Sequence, residues 1–145
     1  MFKKFQFFTI IFLFFNLSNY SFSNDDIFND AKKKYNENKL EESKFLFQRN
    51  IVFNPKDANS YLYLAKIYNS EKNQTEEEKN LTTALLLEPT NEEATYMLIN
   101  IELEKSNYSK VKELTESFKS ICINLCKNLK KINDTLINIE PKNES

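Results

Sequence analysis

Pro55 and Pro89 stand 34 residues apart, and the chain around them keeps that period. In this register Ala31, Ala65 and Ile99 coincide, as do Phe47, Leu81 and Thr115, and Phe53, Leu87 and Ile121. A fixed period of this size means stacked units, none of which can bury its apolar face alone. Inside a period the apolar spacing is helical: Tyr61, Leu64, Ala65 and Tyr68 step by three or four, and Leu81, Ala84, Leu85 and Leu87 follow. Polar breaks recur at residues 38–42, 72–76 and 106–110. Asn54-Pro55-Lys56-Asp57 and Glu88-Pro89-Thr90-Asn91 end one helix pair and begin the next, because Pro cannot continue a helix. No useful length alternates with period two, so the expected fold class is all-α.

Composition then removes whole classes of activity. The 145 residues contain no Gly, no His and no Trp. Without Gly there is no phosphate-cradling loop, dinucleotide fingerprint or nucleophile elbow, each of which needs close backbone approach or positive φ. Without His there is no Ser-His or Cys-His nucleophile and no imidazole metal ligand. We therefore expect no enzyme, no cofactor, no metal site and no small-molecule substrate. Lys+Arg and Asp+Glu number 20 and 21, for a net charge of −1, which lacks the basic excess of a nucleic-acid binder. Lys32-Lys33-Lys34 lies among acidic neighbours and reads as a solvated helix face. The acid run Glu76-Glu77-Glu78 reads as a helix start, with Thr75 and Glu78 at capping-box spacing.

A helix–turn–helix unit of 34 residues, with a small residue in its first helix and Pro at its exit, resembles the tetratricopeptide repeat. Residues 58–91 match at Tyr61, Leu64, Ala65, Tyr68, Leu81, Ala84 and Pro89. Residues 24–57 match at Ala31, Leu40, Phe47 and Pro55 but carry Asp30 and Lys34 where apolar residues are usual. Residues 92–125 match at Leu98 and Tyr108, with Ile99 for the small residue and Ile123 for Pro. The glycine usual in the mid-repeat turn is Asn38, Lys72 or Ser106. The resemblance implies a right-handed α–α superhelix of three repeats. Leu129, Ile132 and Leu136 then fall where a fourth repeat would place its first-helix core, so 126–139 reads as a capping helix and 140–145 as a tail.

In that family the first helices line a concave groove. The groove positions implied here are Phe28, Lys32, Tyr35 and Asn36, then Leu62, Lys66, Asn69 and Ser70, then Tyr96, Asn100, Leu103 and Glu104. Aromatics, amides and two Lys suit an extended peptide or a partner helix; Phe28 and Leu62 could equally pack between helices. The Lys/Asn/Arg set by which cytosolic relatives clamp a chaperone's terminal carboxylate is not reproduced, so that co-chaperone role is not expected.

Residues 1–23 have the layout of a cleaved secretory signal peptide. Lys3 and Lys4 precede an apolar run from Phe5 to Leu17, and Ser21 and Ser23 offer small residues before Asn24. The expected location is outside the cytoplasm, in a bacterial periplasm, with a membrane partner only through an uncleaved N-terminus. Cys122 and Cys126 would meet an oxidising compartment there. They replace the Pro exit of the third repeat and admit three readings: a structural disulfide, two buried thiols on one continuous helix, or a redox or metal site. The function expected is a non-catalytic protein–protein adaptor in cell-envelope assembly or maintenance. The alternatives are a thiol–disulfide or maturation factor using the cysteines and a structural subunit of an oligomer.

Overall fold

A computed structural model describes residues 24–139; the expected signal segment 1–23 and tail 140–145 lie outside the described residues. The described residues form seven helices: α1 (Asn24–Asn36), α2 (Leu40–Phe53), α3 (Ala58–Ser70), α4 (Gln74–Leu87), α5 (Glu92–Glu104), α6 (Tyr108–Ile121) and α7 (Asn128–Ile139). No strand occurs among them. They pack as three antiparallel hairpins, α1/α2, α3/α4 and α5/α6, each second helix also touching the next first helix, with α7 against α6.

The mid-repeat turns explain how a chain without Gly builds these hairpins. Asn38, Lys72 and Ser106 adopt positive φ of 58°, 58° and 59°. At each turn two backbone bonds close the preceding helix. Lys72 N–H donates to the Asn69 carbonyl (3.0 Å) and Asn73 N–H to the Tyr68 carbonyl (2.9 Å), with equivalents at 38–39 and 106–107. This is the Schellman closure, which usually places Gly at the left-handed position. The next helix starts at once. Asn73 accepts the Glu76 N–H with its side chain, so Asn73, and not the expected Thr75, caps α4. Asp57 and Asn91 cap α3 and α5 in the same way.

The exits between repeats are closed by Pro turns, with Asp57 N–H on the Asn54 carbonyl and Asn91 N–H on the Glu88 carbonyl. Between the helices, Ala31 and Ala65 are fully buried where backbones approach; Ile99 fills the third such position. Phe47, Leu64 and Ile67 build one core with Ala31, while Leu81, Ala84, Leu98, Val111 and Phe118 belong to a second. Burying each large apolar side chain is worth about 1.5–3 kcal/mol. The first repeat's open edge mixes charge with apolar side chains: Asp30, Lys34, Glu41 and Glu42 share a hollow there with Phe45 and Leu46. There Lys34 pairs with Glu42 at 2.7 Å and Asp30 is exposed, at the two positions that depart from the apolar pattern. At the other end Ile132, 2% exposed, and half-buried Leu129 and Leu136 cover the second core. That terminal helix begins two residues after Cys126.

Candidate functional site

The helices α1, α3 and α5 lie side by side and are tied through their shared face. Tyr63 of α3 is the centre of the first seam. Its ring lies 6.0 Å from Phe28 and 5.1 Å from Tyr35, both edge-on, and it stacks on Phe47 at 5.0 Å. Lys66 sits with its Nζ 4.7 Å above the Tyr63 ring and 2.8 Å from a Glu93 carboxylate oxygen, which links α3 to α5. A cation held over a ring and paired with a carboxylate is fixed in place, so Lys66 contributes shape more than free charge. In the third repeat Tyr96 stacks on Phe118 at 5.9 Å.

The groove positions divide by burial. Lys32, Asn36, Asn69, Ser70 and Glu104 are exposed, and Phe28, Tyr35, Lys66, Tyr96, Asn100 and Leu103 are half-buried. Of its two readings, groove position or packing between helices, Leu62 takes the second. At 4% exposure it belongs to the second core and lends no surface to a partner, because α3 is the middle helix and is covered from both sides. Phe28 also spends part of its ring on Phe47, at 5.6 Å.

Two participants escape the sequence reading. Tyr63 is equivalent to Asn29 and Met97, so the 34-residue period carries no aromatic signal there. Glu93 shows its role only through Lys66. Where the face approaches the α3–α4 turn, Asn69, Lys72, Gln74, Glu77 and Glu104 line a hollow of about 350 Å³. Glu77 is 5% exposed and accepts from Asn69 Nδ2 at 3.0 Å. Burial pushes its carboxyl above the ordinary range, with the Asn69 bond opposing.

The opposite face carries Val52 and Leu86, 76% and 81% exposed at one register position, and ion pairs join one repeat to the next. Lys44 of α2 pairs with Glu71 after α3 at 2.6 Å. One period later Glu78 of α4 pairs with Lys105 after α5, with the signs exchanged.

The cysteines lie at the last exit. α6 ends at Ile121, so the reading of one continuous helix through both does not hold. The sulfur atoms of Cys122 and Cys126 are 2.04 Å apart with Cα atoms at 5.2 Å, the arrangement of a disulfide. The loop between them closes on Glu92, the first residue of α5. Its carboxylate accepts N–H groups from Ile123 (2.6 Å), Asn124 (3.1 Å) and Leu125 (3.2 Å), and the Asn124 side chain at 3.1 Å. The Ile123 N–H, followed by the Asn124 side chain and the other two amides, holds this carboxyl below the ordinary range, against some desolvation. Among the described residues no group of three or more His, Cys, Asp or Glu is placed to hold a metal ion, and no helix is long and apolar enough to cross a membrane.

Hairpins closed at a 34-residue interval, each packed on the next, define a tetratricopeptide-repeat superhelix. Solved structures agree. The chain is similar to the Yersinia enterocolitica type III secretion chaperone SycD in complex with a peptide of the translocator YopD (TM-score 0.68, 13% identity, covering 83% of this chain and 96% of that one). It is similar to the first repeat domain of Spaghetti (RPAP3) bound to an HSP90 peptide (TM-score 0.67, 14% identity, 79% and 95%). The TPR2B domain of yeast Sti1 in its complex with pHsp70 superposes with a TM-score of 0.69 at 11% identity, over 79% and 96% of the two chains. No protein-family model and no curated protein matches the chain.

Proposed function

We propose that this chain is a non-catalytic binding module that takes an extended peptide or a partner helix along the face of α1, α3 and α5. The observation that carries the reading is the line of solvent-reaching amides and cations, Lys32, Asn36, Asn69 and Asn100, flanked by half-buried Tyr35, Tyr63 and Tyr96 across all three helices. Amides can bond a peptide backbone, and tyrosines give contact area at low entropic cost. The solved neighbours support it, since two of them hold a peptide. The expected signal segment supports a place outside the cytoplasm, in cell-envelope assembly or maintenance, with Cys122 and Cys126 bonded in the native state.

Selection of peptides from a random displayed library on residues 24–145 supplies a ligand whose affinity can be measured. The groove variant Lys32→Ala/Lys66→Ala/Asn100→Ala should weaken the selected peptides at least tenfold. Val52→Asp/Leu86→Asp, on the other face, should leave them unchanged. The reverse pattern contradicts the reading. Fractionated cells should yield a chain beginning at Asn24, outside the cytoplasm; a full-length cytoplasmic chain removes the export part.

A further inference from the structure

We propose that the Cys122–Cys126 bond and the Glu92 carboxylate form a redox latch that holds α7 on the third repeat. The proposal rests on the reading above that the two cysteines are bonded in the native protein. Three successive backbone N–H groups, of Ile123, Asn124 and Leu125, converge on one carboxylate from 31 to 33 residues away. Successive amides turned to one side make an anion-holding concavity, and this requires a curled loop. The Pro exits hold their own curl with a backbone bond across the turn, Asp57 to Asn54 and Asn91 to Glu88. The loop 123–125 has no Pro; Ile123 and Asn124 are exposed, and of its three side chains only half-buried Leu125 packs on the second core. A covalent tie between its ends and an anion at its centre supply what Pro supplies elsewhere.

The two parts are coupled. With the bond closed, the three amides are gathered and Glu92 is bound. With the bond open, the loop can extend, its amides turn to water and Glu92 is released. α7 is then held by the packing of Leu129, Ile132 and Leu136, with Leu125 before it, on the second core. Opening requires an external dithiol. Its thiolate attacks one cystine sulfur and displaces the other as a thiolate, which takes up a proton. The dithiol's second thiol then resolves the mixed disulfide. In sum the cystine gains two electrons and two protons, and the dithiol becomes a disulfide. Coupling is reciprocal: if the closed bond favours the bound Glu92, the bound Glu92 must favour the closed bond. Glu93, next in the chain, makes the Lys66 pair across the candidate groove, so latch and groove share the first turn of α5.

The test is the redox equilibrium of the folded chain in dithiothreitol buffers, read by thiol alkylation and mass. Glu92→Gln should make the cystine about fivefold easier to reduce, a shift of about 20 mV for a two-electron couple. Asn124→Ala, which removes only one side-chain donor, should shift it less and in the same direction. Glu88→Gln, at a Pro exit, should leave it unmoved. Amide exchange in residues 124–136 should rise on reduction of the parent chain and already be raised in oxidised Glu92→Gln. An unchanged equilibrium in Glu92→Gln with helix content intact overturns the latch, as does a shift of equal size in Glu88→Gln. Two free thiols in the parent chain under oxidising buffer overturn instead the bonded reading on which it rests.

Discussion

Asn50, Ala84 and Phe118 occupy one register position on the second helices, and each closes its exit with different chemistry. At the first exit the closure is polar. Asn50 Nδ2 donates to Asp57 (2.8 Å) and to Ser60 Oγ (2.9 Å), while Ser60 donates to Asp57 at 2.7 Å. The buried Asn50 Oδ1 has no hydrogen-bond partner among the described residues. At the second exit fully buried Ala84 and Ala94 belong to one apolar core, and Asn91 caps the next helix. At the third exit fully buried Phe118 stands under Tyr96, beside the cystine and the Glu92 clamp. One backbone register thus accepts three closures, and the differences label the junctions. The ion pairs do likewise: because Lys44–Glu71 and Glu78–Lys105 have opposite polarity, α2 set against α5 would bring Lys44 to Lys105.

Substitutions at the exits can break this comparison. Phe118→Ala should cost most, about 3–5 kcal/mol in chemical denaturation, because a fully buried ring leaves a cavity. Asn50→Ala should cost less, about 1–2 kcal/mol. It loses two bonds but also removes an unsatisfied buried oxygen, and Asp57 and Ser60 keep each other. If it costs as much as Phe118→Ala, the polar closure is worth more than its bonds. Asn91→Ala should cost about 1 kcal/mol for the lost cap.

Acid separates the third exit from the others. Glu92 has a depressed folded value, so its contribution is complete above the ordinary carboxylate range and is lost as pH falls through the folded value. Buried Glu77 has the opposite sign, favouring the fold as it protonates. The difference between the parent and Glu92→Gln isolates the first effect, and should shrink toward zero as the pH falls below the Glu92 range. The smallest change is expected at the left-handed turns. Lys72→Gly should be neutral to stabilising by up to about 1 kcal/mol, because the native φ of 58° suits Gly better than Lys.

Much of this was legible in the sequence. The register, the Pro exits and the helix pairs follow from a period that physical stacking enforces, and Asn38, Lys72 and Ser106 fall at its turn. The site was legible only as positions. The sequence reading left Leu62 open between groove and core, because burial depends on what covers α3 from both sides. Asn73 as a cap depends on the left-handed residue before it, which fixes where α4 can start. The Glu92 clamp joins residues more than thirty apart through backbone amides, which have no residue signature.

The most direct test of the functional reading is the amide and side-chain NMR shift map of the chain with a library-selected peptide. We expect the largest shifts at Lys32, Asn36, Lys66, Asn69 and Asn100. Shifts centred on Val52 and Leu86 would contradict it and place recognition on the opposite face.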